Sequence, residues 1–363
     1  MIKIVTYTAN ELVALVEDNA YLNMPVIPIS KQRAFSIAHS PRTKPENVVM
    51  ACAYQENELV GYLGLLPDTL EINGNSYDTG WLSSMWVSAA HRGKGIAPQL
   101  INRLLKAWDS MVLTTNQSPA AATVFNKHPE FNALTNNGTR YYVKSRLAYF
   151  VPTRKPAYSY LIPLLRFIDS ALNTMVNVHQ TVTSVNRDVD MQTAQKITPE
   201  LAHFIQKYPA QSCCKRGVKE FNWMMEFPWV YQSEQPDSLA ANYEFTISTP
   251  DYSNEFVLCY HHKALVGVAL VMLKKGELKI SYVWCDDANE TLLANALQKY
   301  IRTKTVFEVT VFNSKHQSLM QQGVFYLLRR KLSRPVYVCK KLHEIIKQDN
   351  AAFADGDGDS CFA

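Results

Sequence analysis

Charge blocks, cysteines at paired-ligand spacing and unbroken apolar runs are all missing from this chain of 363 residues. Its 37 Lys and Arg oppose 32 Asp and Glu for a formal net charge of +5, with no basic block along the sequence. So diffuse a surplus hints at anionic ligands but gives no footprint for a nucleic-acid backbone. None of the seven cysteines takes the spacing of a zinc or redox motif, and Cys213-Cys214 is a vicinal pair. Reduced thiols and a cytoplasmic location are expected, with no metal site. The longest apolar stretch, 157–178, is interrupted by Pro163, Arg166 and Asp169. A docked helix is therefore expected there, not one inserted through a membrane. Met1–Thr8 reads as a strand and not as a secretory leader. Glycine is scarce too, 13 residues in all, so its clustering carries weight.

One cluster sits in HRGKGIAPQL, 91–100. Gly93 and Gly95 precede Ala97, Leu100, Ile101, Leu104, Leu105 and Trp108, which fall on one helical face. Upstream, WLSSMWV (81–87) is rich in aromatic and branched residues and predicts a strand. The first amides of a helix have no partner within it, and the helix dipole leaves partial positive charge there. Glycines let an anion approach the backbone, Arg92 and Lys94 add full charges, and Pro98 is tolerated in a first turn. The unit is strand, glycine turn and helix with an anion site at the junction.

The spacing excludes two nucleotide binders. No Lys-Ser/Thr follows Gly95, as a P-loop requires, and Ile96 and Pro98 break the Rossmann pattern. Arg92-Gly93-Lys94-Gly95-Ile96-Ala97 instead resembles the Arg/Gln-x-x-Gly-x-Gly/Ala signature of the GNAT superfamily of acyl-CoA N-acyltransferases. The resemblance implies a mixed, mostly antiparallel sheet flanked by helices, an α/β fold of layered α+β type. It also implies acetyl-CoA as acyl donor. Amides of Arg92, Gly93, Lys94, Gly95, Ile96 and Ala97 would take its pyrophosphate, Met85, Trp86 and Val87 its pantetheine arm and carbonyl, and Asn116 a further contact.

The order of elements over 1–150 fits that plan, with RYYVKSRLAYF (140–150) as the strand that closes the sheet. A second copy follows. NELVGYLGLL (57–66) resembles KALVGVALVML (263–273), and NETLLANALQKYI (289–301) stands where the 95–108 helix does. The expected organisation is a GNAT domain at 1–150, a helical connection at 151–240, a degenerate GNAT-like domain at 241–345 and a flexible acidic tail at 346–363. The second copy is degenerate because CDDANET (285–291) replaces the glycine loop, and its aspartates repel pyrophosphate. One coenzyme A per chain is expected. In the connection, FNWMMEFPWV (221–230) is either a binding surface or core packing.

Transfer to an amine requires loss of a proton, stabilisation of the thioester oxygen and departure of a thiolate. The family's usual tyrosine donor is absent, because Phe125 stands at its place. Candidates for the base are Asp78 and His128, Tyr141 and Tyr142 could donate, and a water relay without a dedicated base is equally compatible. The resemblance implies an N-acetyltransferase acting on a primary amine of a small molecule, amino sugars among the candidate acceptors. A coenzyme-A-binding regulatory or scaffold protein is the alternative that Phe125 favours. An aminoacyl-transferase built from two such halves would not need the intact glycine loop.

Overall fold

A computed structural model describes residues 1–115, 118–182, 189–208, 212–347 and 352–362. The chain opens with β1 (Ile2–Thr8), α1 (Ala9–Glu17) and α2 (Lys31–His39), then runs through β2 (Val48–Gln55), β3 (Glu58–Ile72) and β4 (Asn75–Val87). Next come α3 (Ile96–Ala107), β5 (Val112–Thr114), α4 (Pro119–Lys127) and β6 (Phe131–Tyr142). Helices α5 (Leu147–Arg154) and α6 (Ile162–Val182) lead to β7 (Val189–Ala194), α7 (Pro199–Lys207) and α8 (Val218–Glu226). Two short strands follow, β8 (Tyr231–Gln232) and β9 (Ser248–Thr249). The last stretch holds β10 (Tyr252–His261), β11 (Ala264–Lys274), β12 (Glu277–Cys285), α9 (Glu290–Thr303), β13 (Glu308–Val311), α10 (Ser314–Gly323), β14 (Leu328–Cys339) and α11 (Lys340–Lys347).

The chain forms two compact units, one of residues 1–136, 196–252 and 334–363, the other of 137–195 and 253–333. In the first, β1, β2, β3 and β4 are antiparallel neighbours and β5 joins parallel to β4. Thr8 and Glu11 form a capping box that starts α1. Helix α3 buries Ile96, Leu100, Ile101, Leu104 and Leu105, the face its periodicity predicts. The Trp108 indole N–H then donates to the Val48 carbonyl at 2.8 Å and fixes the helix end on β2.

The strand that closes this sheet is not 140–150. Tyr337 and Val338 of β14 pair antiparallel with Thr114 and Leu113. Arg140, Tyr141 and Tyr142 pair instead with Thr310, Val309 and Glu308 in the second unit, and 147–154 is helical. Short apolar strands of the same texture fit either sheet edge, so local pattern could not distinguish them.

The second unit repeats the first in miniature. Gly267 of β11 opposes Cys285, as Gly61 of β3 opposes Val87, and each glycine lies under the first turn of the following helix. A Cβ at Gly61 would stand 3.0 Å from Ile96, and one at Gly267 3.1 Å from Leu293. Tyr141 lies in this unit's core with Leu278, Ile280, Leu297 and Val309.

Two further expectations change or resolve. The tail is not a flexible acidic segment over its described part: Asp355, Asp357, Asp359 and Phe362 are buried. The 221–230 segment is core packing, with Phe221, Trp223 and Trp229 buried in the first unit.

Candidate functional site

The site is built where β4 leaves its neighbours. Tyr62 pairs with Trp86 and Gly64 with Ser83, so Leu63 alone faces both Ser84 and Met85. That is a β-bulge, and Ser84 takes a positive φ of 57° to make it. On the other side, among the described residues, β4 and β5 pair at Gly80↔Val112 and Trp81↔Leu113 and then part. A cleft opens there, lined by Leu63, Leu82, Ser83, Ser84, Met85, Thr114, Ser118, Ala121, Phe125 and Phe245. Its walls are apolar side chains and hydroxyls, and none of these residues titrates near neutral pH.

The turn after β4 leads into α3, and within it the amides of Arg92 and Lys94 donate to the Ala89 and His91 carbonyls, each at 3.4 Å. Gly93 and Gly95 have φ of 79° and 75°, the left-handed region that favours glycine, and Gly95 caps α3 without a side-chain bond. A Cβ on Gly93 would meet nothing within 4 Å, so its outer face is open. His91 braces the turn through Ser88 Oγ at 2.9 Å and Gln55 Oε1 at 2.8 Å. The Arg92 Nε–H donates to the Val87 carbonyl at 3.2 Å, and Arg92 and Lys94 are exposed. An uncapped helix start, two open glycines and two exposed cations fit a pyrophosphate.

Behind the bulge lies a residue that no motif announces. Arg33 of α2 donates from Nη1 to Ser84 Oγ, and only 5% of it is exposed. Its guanidinium lies 4.7 Å from the Trp229 ring, 5.2 Å from Phe245 and 5.6 Å from Tyr243. Among the described residues it has no ion pair, and its Nε is buried without a partner. The aromatic faces replace the counter-ion. Trp229, Tyr243 and Phe245 are some two hundred residues away in sequence, so only the folded chain reveals the cage.

Helix α4 walls the cleft with Phe125, which stacks on Tyr337 at 5.5 Å and meets Phe131 edge-on at 5.2 Å. The Tyr337 phenol beside it is buried, and its hydroxyl donates to the Ala122 carbonyl at 3.3 Å.

The expected catalytic residues do not converge on the cleft. Asp78 is on β4 opposite Thr69, six residues before Ser84 and so about 20 Å along the strand. It is exposed and paired with Lys44 Nζ at 2.8 Å. His128 caps α4, with Nε2 3.1 Å from Asn102 Oδ1, and lines a groove of Pro98, Asn102, Thr123, Val124 and Lys127 between α3 and α4. Burial holds its imidazole below the usual range. Tyr141, in the second unit, meets Tyr326 edge-on and accepts from Gln321 Nε2 at 3.4 Å. Asn116 lies outside the described residues.

In the second unit carboxylates stand before the corresponding helix. The Asp286 carboxylate accepts from the Asn289 amide at 2.9 Å, and Lys315 lies 3.5 Å from Asp287 and 3.7 Å from Glu290. The bulge in β12 falls at Ser281, which is buried.

The comparisons agree with this geometry. Residues 19–124 match the acetyltransferase (GNAT) family, and this segment is a domain of that family. Across 93% of this chain and 97% of the other, the fold is similar to that of a tandem GNAT protein from the clavulanic acid biosynthesis pathway, at 13% identity and a TM-score of 0.50. A GCN5-related N-acetyltransferase from Anabaena variabilis is similar over 93% of this chain and 72% of its own, at 11% identity and a TM-score of 0.50. A probable N-acyltransferase of Enterococcus faecalis is similar over 96% and 75%, at 9% identity and 0.51. No curated protein matches by sequence. The fold is a tandem GNAT fold.

Proposed function

We propose that the chain transfers an acyl group, acetyl in the simplest case, from its coenzyme A thioester to the amine of a small molecule. The observation that carries this reading is the bulge at Ser84, which opens β4 beside a turn whose two glycines, Gly93 and Gly95, take positive φ. Arg92, Gly93, Lys94, Gly95, Ile96 and Ala97 would hold the pyrophosphate. Backbone groups of Met85, Trp86 and Val87, on the edge that β5 leaves, would hold the arm. The bound thioester supplies the activated carbonyl.

The cleft walls define what the chain itself contributes. An aliphatic amine has a pKa near 10 in water and is mostly charged at pH 7. Desolvation among Leu63, Leu82, Met85, Phe125 and Phe245 disfavours the charged form, so the neutral amine is the species that binds. No lining carboxylate or imidazole is needed to take the proton, which leaves through water. Amino sugars remain within this acceptor class, since hydroxyls of Ser83, Ser84, Thr114 and Ser118 line the same walls.

Release of free thiol from acetyl-CoA in the presence of an amine panel tests the reading. Amine-dependent release that rises smoothly with pH towards the acceptor's own pKa is expected. The second reading, coenzyme A binding without turnover, is favoured by Phe125, which can donate no proton to a leaving thiolate. Tight binding with no thiol release from any amine would establish it in place of the first.

A further inference from the structure

The second unit carries a surface that the transfer reaction does not use. Eleven large apolar side chains are exposed among the described residues, and nine of them lie within 149–178 and 327–328. Helix α6 is apolar on two sides. Leu165 and Val176 are buried, while Leu164, Phe167, Met175 and Val178 are 54%, 73%, 68% and 57% exposed. With Ala171, also exposed, the second set runs at spacings of three and four along one face. An apolar helix stripe ordinarily faces a core, and this second one does not.

Cations gather around the same surface. Lys144, Arg146, Arg154, Lys155 and Arg330 gather there against two nearby carboxylates, Asp169 and Glu308. Asp169 is already engaged, accepting from Ser145 Oγ at 2.6 Å and from the amides of Leu147 and Ala148 at 2.7 and 2.9 Å. None of the five cations forms an ion pair among the described residues. Scattered along the sequence, they show no block; the fold collects them. Between α5, α6 and residues 327–330 lies a groove of about 760 Å³, lined by Leu147, Phe150, Val151 and Leu172 and rimmed by Lys144, Arg154 and Arg330.

We propose that this face docks on the surface of a bilayer containing anionic phospholipids. The exposed α6 stripe and Tyr158, Tyr160, Leu327 and Leu328 enter the headgroup boundary, and the cations meet lipid phosphates. The groove takes part of one lipid. No described helix is long and apolar enough to cross the membrane, so the association is peripheral. A second copy of the chain fits poorly: in an isologous contact the same patch meets itself, and five cations would face five. A nucleic acid would use the cations but leave Leu164, Met175 and Val178 without an apolar partner.

Flotation of the full chain with vesicles tests this. Vesicles of phosphatidylcholine carrying about a third phosphatidylglycerol should retain the protein at least tenfold better than phosphatidylcholine alone, and less well in 0.5 M salt. Phe167→Ser with Met175→Ser, both exposed and harmless to the core, should lower retention on the order of tenfold. Arg154→Glu with Lys155→Glu should do the same, each variant keeping the native circular dichroism and melting temperature. Equal retention on neutral and anionic vesicles, or variants that float like the unaltered chain, would overturn the proposal. So would a dimer in sedimentation that Phe167→Ser dissolves, which assigns the face to a second copy. An oligonucleotide that binds more tightly than the anionic vesicles at equal phosphate would assign it to nucleic acid.

Discussion

Arg33 donates a hydrogen bond to the hydroxyl of Ser84, the one residue of β4 whose positive φ makes the bulge. The relationship couples α2 to the point where the sheet opens. A serine at φ 57° is in a sparsely populated region, and such a conformation persists only where its surroundings determine it. The guanidinium is itself fixed, between Trp229, Tyr243 and Phe245.

Removing that bond should affect transfer more than folding. Arg33→Met keeps an apolar stem among the rings but donates nothing to Ser84. Misplacing a reacting group by about 1 Å costs on the order of 10²-fold in rate, and a loss of that size in kcat/KM is expected. Arg33→Lys should recover only part, because an ammonium does not span rings and hydroxyl as a planar fork does. Unchanged kcat/KM in a folded Arg33→Met chain would mean that β4 holds its bulge unaided.

Gly95→Val should separate binding from folding. The position has a φ of 75°, where a β-branched residue is strained by about 1–3 kcal/mol, but a Cβ there meets only Gln99 Nε2, at 3.9 Å. The chain should fold with a lowered melting temperature and bind acetyl-CoA at least tenfold more weakly in calorimetry. Full affinity in the folded variant would remove the 92–97 turn from the pyrophosphate site. Stoichiometry in the same titration should be one per chain, because the carboxylates of Asp286 and Asp287 stand before the corresponding helix of the second unit and repel pyrophosphate.

Asp78→Asn should be nearly silent. Its side chain is 64% exposed and that of Lys44 60%, so solvent screens their contact. Steady-state turnover within twofold of the unaltered chain across pH 6–9 is the expected result. A loss of a hundredfold or more, the usual cost of removing a general base, would instead bring the acceptor to the hairpin end of β4.

His128 should make the fold acid-sensitive. Burial lowers its pKa below the ordinary imidazole value of about 6.5, so the unfolded chain binds the proton first as pH falls. Folding is therefore uncompromised above about pH 6.5 and weakens below it, down to the folded-state pKa. His128→Gln keeps a partner for Asn102 and cannot titrate. The difference in urea midpoint between pH 7.5 and 5.5 should be smaller in this variant; an equal difference would place the acid sensitivity elsewhere.

What the sequence made legible was local. The glycine turn and the apolar face of α3 depend on neighbours within a dozen residues, and both stand where periodicity places them. The match of Gly61 with Gly267 was equally readable, since each faces a helix start through a short hairpin. The closing strand was not. Tyr337 pairs with Thr114 from 223 positions further along the chain, and the strand texture of 140–142 satisfies a different sheet edge just as well. The candidate bases failed for a related reason, because strand position says nothing about distance from the bulge. Arg33 was invisible because an arginine in a helix looks solvated until its aromatic partners are known.

The tail gives the sharpest contrast, and the last prediction. ADGDGDS reads as a solvated acidic run, yet the fold inserts it beside the Asp68 carboxylate. Burial alone would raise the pKa of Asp68, but Arg216 at 2.6 Å and Arg42 at 2.5 Å outweigh it and hold the group below its usual value. Arg216 also donates to the carbonyls of Gly356 and Gly358 at 3.0 and 3.1 Å, and Asp357 accepts from Ser212 at 2.5 Å. Only glycine fits at 358, where a Cβ would stand 2.5 Å from the Trp81 ring. Beyond it Phe362 stacks on Trp229 at 4.8 Å, and Trp229 is one wall of the Arg33 cage. Tail, Trp229, Arg33 and Ser84 are thus successive contacts that end at the bulge. A chain ending at residue 351 should lose the Phe362 packing, a deletion of about 3–5 kcal/mol by itself, and strip Arg216 of two acceptors. Its melting temperature should fall by about 10 °C or more. Phe362→Ala isolates the path to the site: with the Arg216 contacts intact, it should melt lower and also reduce kcat/KM severalfold. Full kcat/KM in a folded Phe362→Ala chain, measured well below its melting temperature, would confine the tail to a structural role.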